Sequence, residues 1–134
     1  MTEVVLDASV VAKWFRVVDE RHVTQARDLR VAFNGGELAV VGPSLLPLEL
    51  INIAGRQWHW VRAQLDALAR GLEELGFELV EPDLRSVARW TAEGLTAYDA
   101  AYVAVAEERE IELVTDDERL LAAAPRVVVA LADR

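Results

Sequence analysis

The chain has 134 residues, enough for one domain, and its 53% hydrophobic and 28% charged residues are typical of a soluble globular protein. It has no cysteine and only two histidines, which excludes disulfides, thiolate zinc sites and histidine-based metal sites. The formal net charge of −9 argues against nucleic-acid binding through a broad basic face, but leaves open a nucleic-acid enzyme whose metal ions offset local negative charge.

Any metal in this chain must therefore be held by oxygen, which favours magnesium or manganese over zinc. The N-terminus MTEVVLDASVV carries an early acid and no basic stretch before its apolar run, so we expect no signal peptide. No apolar segment approaches the roughly 18 residues needed to span a bilayer. We therefore expect a cytoplasmic protein with no membrane partner.

Five short β-branched runs predict strands, at residues 3–7, 38–42, 77–81, 111–115 and 126–131. The segments between them predict helices, at 8–15, from Asp19 or Glu20 to about Asn34, from Pro43 and Ser44 to about Trp60, at about 62–75, from Asp83 to about Glu93, at 96–109 and at 117–124. The helix at 96–109 is apolar nearly all round in its middle, so a sheet or a partner subunit should bury it.

Alternating strands and helices predict one α/β domain over residues 1–134, with a mostly parallel sheet of four to five strands covered on both faces. In such a sheet the site lies outside the carboxyl ends of the strands. This rule selects Asp7, at the end of the first strand, and the pair Asp116 and Asp117, just past the fourth.

Two acids have simple structural explanations beside a functional one. Asp7 suits a solvated turn or a helix N-cap. Glu49 lies in the apolar stretch PSLLPLELINIAG, where an unpaired buried charge is costly, so it either points outward, meets an arginine or has a function. Asn52 lies one turn further on the same face, where it would orient Glu49 or be exposed.

The remaining acids are open to a similar alternative. Thr96 and Asp99 have the spacing of a capping box, and so do Thr115 and Glu118, which would place both neighbouring aspartates in a first helical turn. Capping does not explain why four acid positions fall where an α/β arrangement brings them to one edge. Such a cluster would repel itself unless divalent metal ions relieved the repulsion, and two ions roughly 4 Å apart suit phosphodiester cleavage.

These segments resemble the PIN-domain nucleases, and among them the VapC toxins of VapBC toxin–antitoxin pairs. VVLDASVVAKW is similar to the first strand of the family with its D-x-S, and LLPLELINIA to its E-x-x-N helix. GLTAYDAAYVAVAEE is similar to Y-D-A-x-Y-x-x-x-A, and ELVTDDERL to T-x-D-x-x-L. The four motifs occur in order along essentially the whole chain, which implies a PIN-like three-layer α/β/α sandwich.

The resemblance implies a metal-dependent endoribonuclease that cleaves RNA with metal-activated water and leaves a 5′-phosphate and a 3′-hydroxyl. Carried over residue by residue, it implies an acidic quartet that holds Mg²⁺ or Mn²⁺: Asp7, Glu49, Asp99 and Asp117. Asp117 is chosen over Asp116 because T-x-D-x-x-L runs from Thr115 through Asp117 to Leu120. Asp116 is then a supporting polar neighbour.

Further residues follow from the same match. Ser9, Asn52 and Thr115 match polar positions that support the quartet. Lys13 and Arg16 are candidates for contacts with RNA phosphates, or else lie on a solvated helix face. The family also implies a homodimer, a higher assembly and a cognate VapB-like antitoxin that binds DNA and blocks the acidic groove with arginine or lysine.

The aromatic stretch RQWHWV places Trp58, His59 and Trp60 near a helix end, where an interface and core packing are both open. The sequence leaves four alternative functions to consider. Receiver domains and haloacid-dehalogenase-type phosphatases need a late lysine, and this chain has no lysine after Lys13. A PIN nuclease that processes or degrades RNA without an antitoxin stays open, as does a PIN module kept only for binding.

Overall fold

A parallel sheet of five strands forms the centre of the fold. The computed structural model describes residues 1–16 and 21–134. Within them the strands are β1 (Thr2–Leu6), β2 (Leu38–Pro43), β3 (Glu78–Val80), β4 (Leu113–Thr115) and β5 (Val128–Ala130). Their order is β3-β2-β1-β4-β5, and every neighbouring pair is parallel.

Helices cover both faces of this sheet. In the described ranges they are α1 (Ala8–Phe15), α2 (Val23–Asn34), α3 (Leu46–Arg56), α4 (Arg62–Glu74), α5 (Leu84–Ala92), α6 (Ala97–Arg109) and α7 (Glu118–Ala123), followed by a 3₁₀ helix at Leu131–Asp133. Crossovers between parallel strands are right-handed, so α1 to α4 lie on one face and α5 to α7 on the other. The predicted three-layer α/β/α architecture is confirmed.

Helix α6 has the longest uninterrupted buried segment among the described helices, since residues 100–106 are all buried. It packs against β1, β2 and β4 and along α5. The sheet and α5 therefore account for its nearly all-round apolar character within the chain itself. Most of the buried hydrophobic residues of the described ranges form one cluster, and it includes the buried residues of this helix.

The order in which strands are added to the sheet reverses at β1, between β1 and β4. From β1 the next strand lies on one side, whereas β4 pairs with β1 on the other side, with Leu6 opposite Val114. Helices flank the two strands on opposite faces at this point, which leaves a crevice beyond their carboxyl ends. Asp7 follows β1 directly into this crevice, and its backbone N–H donates to the carbonyl of Val114.

The predicted bounds of α3 were too wide at both ends. Pro43 still pairs with Val80 in the sheet, and the N–H of Ser44 donates to the Val80 carbonyl, so the helix begins only at Leu46. It ends at Arg56, because His59 adopts a left-handed backbone conformation with φ 57°, which a helix does not continue through.

Other bounds differ by a few residues. The predicted start of the second helix at Asp19 or Glu20 lies outside the described residues, and the described helix begins at Val23. Strands β3 to β5 are shorter than predicted, and Leu131 belongs to the 3₁₀ helix instead of β5. None of the helices in the described part of the chain combines the length and apolar character needed to cross a bilayer.

Candidate active site

A groove with a volume of about 1120 Å³ lies at the carboxyl edge of the sheet. All four acids of the predicted quartet line it, together with Asp116. Each of the four lies at the start of a helix: Asp7 and Asp117 are the N-caps of α1 and α7, and Glu49 and Asp99 lie in the first turns of α3 and α6. Helix N-termini present unpaired N–H groups and a positive dipole end, which partly offset the gathered negative charge.

Asp7 is held by four hydrogen bonds at the bottom of the groove. Its Oδ1 accepts from the hydroxyl of Ser9 and from the backbone N–H groups of Ser9 (2.9 Å) and Val10 (3.3 Å). Its Oδ2 accepts from the hydroxyl of Thr115. Asp7 is only 6% exposed, so the alternative of a solvated turn residue is wrong, while the N-cap interpretation is correct and compatible with a role in the site.

Thr115 connects the ends of the two central strands. Its buried hydroxyl donates to Asp7 and accepts from the backbone N–H of Asp117 at 3.0 Å. The N-cap of α7 is Asp117, whose Oδ1 accepts from the N–H of Arg119. The capping box predicted for Thr115 and Glu118 is therefore wrong, because the helix begins two residues later than that pattern requires.

The side chain of Asp116 contacts different residues from that of Asp117. Its Oδ2 lies 3.4 Å from Nζ of Lys13 in α1, and its Oδ1 lies 2.8 Å from Nδ1 of His22, the N-cap of α2. Asp116 thus ties the β4 loop to two helices. The two adjacent aspartates have separate structural roles, since one links the loop to α1 and α2 while the other caps α7.

Glu49 presents a buried oxygen without a hydrogen-bond donor among the described residues. Its Oε1 and the hydroxyl of Tyr102 are both buried and form no well-aligned hydrogen bond, although the two groups are near enough for Tyr102 to lower the pKa of Glu49. Oε1 of Glu49 therefore neither faces solvent nor meets an arginine among the described residues. An unsatisfied buried carboxylate oxygen is costly, and a cation would satisfy it.

Asp99 shares a cation with Asp117. The N–H of Asp99 donates to the hydroxyl of Thr96 at 3.1 Å, so one half of the predicted capping box is present. Its Oδ2 lies 3.9 Å from Nη2 of Arg119, and the same nitrogen lies 3.2 Å from Oδ2 of Asp117. The cap positions the start of α6, while the side chain of Asp99 faces the groove.

Three acids of this groove, Asp7, Glu49 and Asp99, have pKa values above their usual range. Burial raises the pKa of Asp7, against the opposing effect of its hydrogen bonds with Ser9 and Thr115. Burial also raises the pKa of Glu49, and the charges of Asp99 and Asp7 raise it further. The pKa of Asp99 is raised by burial and then by the charge of Asp117. The ionised site therefore lowers the stability of the folded protein.

The donor chemistry of the groove fits a hard divalent cation. The groove offers carboxylate oxygens from the starts of four helices, a donor set that suits Mg²⁺ or Mn²⁺. One of these oxygens, Oε1 of Glu49, is buried and accepts no hydrogen bond from the described residues. As the side chains stand, no three acidic, histidine or cysteine residues in the described ranges are already arranged to hold one ion. Arg119 already contacts Oδ2 of Asp99 and Oδ2 of Asp117, two of the oxygens that the groove offers.

The other predicted residues differ in how they reach the groove. Ser9 and Asn52 line it, and both are exposed. Lys13 lines it as well but is only 8% exposed, so the alternative of a solvated helix face is wrong for this residue. Arg16 lies instead over the ring of Trp58, with its guanidinium 5.5 Å from the ring centre.

The aromatic stretch after α3 is divided between the core and the surface. Trp58 lines the groove, packs against the hydrophobic core and lies 5.0 Å from the ring of Trp60. His59 is exposed. Trp58 therefore contributes to the core of this chain, and the groove shares one of its walls with that core.

Several groove residues were missed in the sequence. Tyr102, Tyr98, Arg119 and Arg21 line the groove, and His22 contacts Asp116. The two tyrosines belong to the Y-D-A-x-Y motif, so their spacing around Asp99 was a usable signal. Arg119 lies two residues past Asp117, but its bridging position depends on α6, which no local pattern shows.

Comparisons with known proteins agree with this arrangement. The family model for the PIN domain matches residues 4–126. The chain is similar to the crystal structure of PAE2754 from Pyrobaculum aerophilum, with a TM-score of 0.67 and 27% identity over 98% of this chain and 92% of that chain. No curated protein matches it with statistical significance.

Two further solved structures show the same fold. FitAcB from Neisseria gonorrhoeae has a TM-score of 0.69 and 19% identity, covering 98% of this chain and 99% of that chain. A toxin–antitoxin complex from Klebsiella pneumoniae has a TM-score of 0.58 and 20% identity, covering 96% and 97%. At these identities the likeness concerns the fold alone.

Replacing Glu49 by glutamine should stabilise the protein in the absence of divalent metal. Because the pKa of Glu49 is raised in the folded state, its ionised form costs stability above that pKa, and the cost vanishes below the pKa of the unfolded chain. We expect Glu49→Gln to raise the melting temperature by about 1–3 °C at neutral pH, with the gain fading in acid. Thermal unfolding followed by circular dichroism, with exposed Glu74→Gln as the control, tests this; a lower melting temperature contradicts it.

Neutralising the two adjacent aspartates should affect stability unequally. Asp116→Asn removes the charge beside the buried ammonium of Lys13, so we expect the free energy of unfolding to fall by about 1–3 kcal/mol. Asp117→Asn keeps the helix cap, because asparagine caps as well as aspartate, and should change it by less than about 1 kcal/mol. Urea unfolding of both variants measures the difference, and the reverse order would show that their structural roles are exchanged.

Proposed function

The chain belongs to the PIN-domain family, and on this basis we propose that it is a metal-dependent endoribonuclease acting as the toxin of a type II toxin–antitoxin pair. The observation that supports this most is the convergence of Asp7, Glu49, Asp99 and Asp117 on one groove, with a buried oxygen of Glu49 left without a donor. Structural ion pairs alone do not account for such a set, since Asp7 and Glu49 form no ion pair with a base among the described residues, and Asp99 and Asp117 share one arginine.

These four acids would hold the Mg²⁺ or Mn²⁺. When bound, such a metal supplies an activated water and neutralises charge that develops on the scissile phosphate. The elements that carry the acids are strands and helices instead of long loops, so the carboxylates are held in fixed relative positions.

The polar neighbours position the acids. Thr115 and Ser9 direct the carboxylate of Asp7 by donating hydrogen bonds to its two oxygens. Tyr102 lies buried beneath Glu49, where its hydroxyl stays protonated because burial raises its pKa far above the physiological range. A neutral hydroxyl at this position adds no charge that would compete with a cation for the carboxylate.

The rim of the groove suits a single-stranded RNA. Tyr98, which is 66% exposed, and Trp58 both line the groove and offer flat rings on which unpaired bases can stack. Arg21 and Arg119 are exposed bases along the same groove and suit phosphates. Lys13 and Arg16 stay predictions as RNA contacts, with Lys13 placed in the groove wall and Arg16 behind Trp58.

The proposed partners follow from charge. The chain has a net charge of −9 and its groove gathers six aspartate and glutamate side chains, so an inhibitor that presents arginine or lysine would complement it. The similar Klebsiella pneumoniae structure is a toxin–antitoxin complex. We therefore include a VapB-like antitoxin and a homodimer in the proposal.

RNA cleavage should require both a divalent metal and the quartet. We expect EDTA to abolish cleavage of single-stranded RNA, and Mg²⁺ or Mn²⁺ to restore it. Asp7→Asn and Asp99→Asn should each lower the cleavage rate by about 100-fold or more, because they remove charge from the site while asparagine keeps the cap at position 7. A gel assay with end-labelled RNA measures these rates.

Asp116→Asn is the matched control, since it alters an acid of the same groove that faces Lys13 and His22. It should retain much of the activity at a temperature where the variant is folded, whereas Asp117→Asn should lose most of it. Cleavage that continues in EDTA, or that the Asp7→Asn variant still catalyses, would contradict the metal-nuclease proposal.

Brief induction of the protein in a bacterial host should produce new RNA 5′ ends and arrest growth. Neither effect should follow induction of the Asp7→Asn variant. Mapping of 5′ ends after induction identifies the cut RNAs, and co-expression of a small open reading frame found directly upstream should suppress both effects. New ends without growth arrest, and no such reading frame, would favour an RNA-processing nuclease over a toxin.

A further inference from the structure

One arginine of the groove, Arg119, is already engaged with two acids of the quartet. Its Nη2 lies 3.2 Å from Oδ2 of Asp117 and 3.9 Å from Oδ2 of Asp99. A single guanidinium nitrogen therefore faces one oxygen of each acid, and these are oxygens that the quartet would offer to a metal ion.

The contacts with Asp117 involve both of its carboxylate oxygens. The backbone N–H of Arg119 donates to Oδ1 at 2.9 Å, and the side-chain Nε lies 3.5 Å from the same oxygen. The backbone contact belongs to the helix cap and stays in place when the side chain moves. Among the described residues Oδ2 contacts only the guanidinium, so a cation that binds this oxygen meets the positive charge of Arg119 there.

The side chain of Arg119 is free to leave. It is 75% exposed, whereas the side chains of Asp99 and Asp117 are only 23% and 26% exposed. Exposed ion pairs are weak, because solvent screens them and a long side chain loses freedom when it is held. The acids are fixed by their helices, so the guanidinium is the mobile member of the group.

From this geometry we propose that Arg119 is an internal counter-ion of the Asp99–Asp117 side of the site, which a divalent metal must displace, so that this arginine lowers the metal affinity of the protein. The inference rests on the proposed function, because it assumes that the quartet holds the metal. Arg119 is a positioning residue in this scheme. It keeps two like-charged acids together in the metal-free protein and yields its place to the ion.

Metal titration of the metal-free protein, without RNA, tests the proposal. We expect Arg119→Ala to bind Mn²⁺ about three- to tenfold more tightly than the wild type, as measured by calorimetry or by the electron paramagnetic resonance of free Mn²⁺. Arg119→Lys should lie in between, since an ammonium keeps the charge but cannot form the planar fork. Circular dichroism establishes that each variant is folded.

Arg62→Ala is the matched control for the change in net charge. Arg62 is 95% exposed on α4, where it forms only a weak pair with Asp66 at 4.0 Å. Its removal should change the Mn²⁺ affinity by less than about twofold, because a distant exposed charge is screened. If Arg62→Ala tightens binding as much as Arg119→Ala does, the effect comes from net charge and the proposal is overturned.

A double-mutant cycle separates a direct contact from a general one. In an Asp117→Asn background the guanidinium has lost its main partner, so Arg119→Ala should no longer change the Mn²⁺ affinity. An unchanged or weaker affinity for Arg119→Ala alone overturns the inference while leaving the nuclease proposal intact, provided that the wild type binds Mn²⁺ and Asp117→Asn weakens that binding. If the wild type binds no Mn²⁺, both proposals fail together.

Discussion

The repulsion between carboxylates in one groove is the constraint on which the arrangement of the site depends. Asp7, Glu49 and Asp99 all have raised pKa values, so their ionised forms destabilise the metal-free fold. The structure offsets this cost locally. Helix starts lie at all four acids, hydroxyl donors face Asp7, and Arg119 faces the other two aspartates. Oε1 of Glu49 has none of these donors among the described residues, so a bound cation would offset the cost of burial most directly at this oxygen.

The strand order explains why the acids can meet at all. The chain leaves β1 and β4 on opposite faces of the sheet, so the starts of α1 and α7 open on either side of one crevice. Each strand passes into its helix within two residues, and the connecting residues are acids. Thr115 then joins the two strand ends through one hydroxyl, so that Asp7 and Asp117 are positioned by the same side chain.

Patterns that act over one or two helical turns could be predicted from the sequence. β-branched runs gave the strands, and the four motifs gave the order of the quartet. Contacts that depend on tertiary packing could not, such as the pair of His22 and Asp116, which are 94 residues apart. The end of α3 was also missed, because the left-handed turn at His59 occurs at a residue type that usually does not adopt it. In sequence only the T-x-D-x-x-L motif distinguishes Asp117 from Asp116. In the structure Asp116 contacts Lys13 and His22, whereas Asp117 caps α7.

The same electrostatics connect substrate, metal and inhibitor. A phosphate approaching the metal-free groove meets several carboxylates and few bases, so Coulomb repulsion opposes RNA binding until cations enter. The side chain of Arg119 already brings one positive charge to this groove. Its contact with Asp117 is weak because it is exposed to solvent. A bound metal and an inserted arginine from a partner would satisfy the same oxygens of Asp99 and Asp117. Under the proposed function, the activating metal and the inhibiting partner therefore compete to neutralise the charges of Asp99 and Asp117. Arg119 neutralises the same charges more weakly from within the chain.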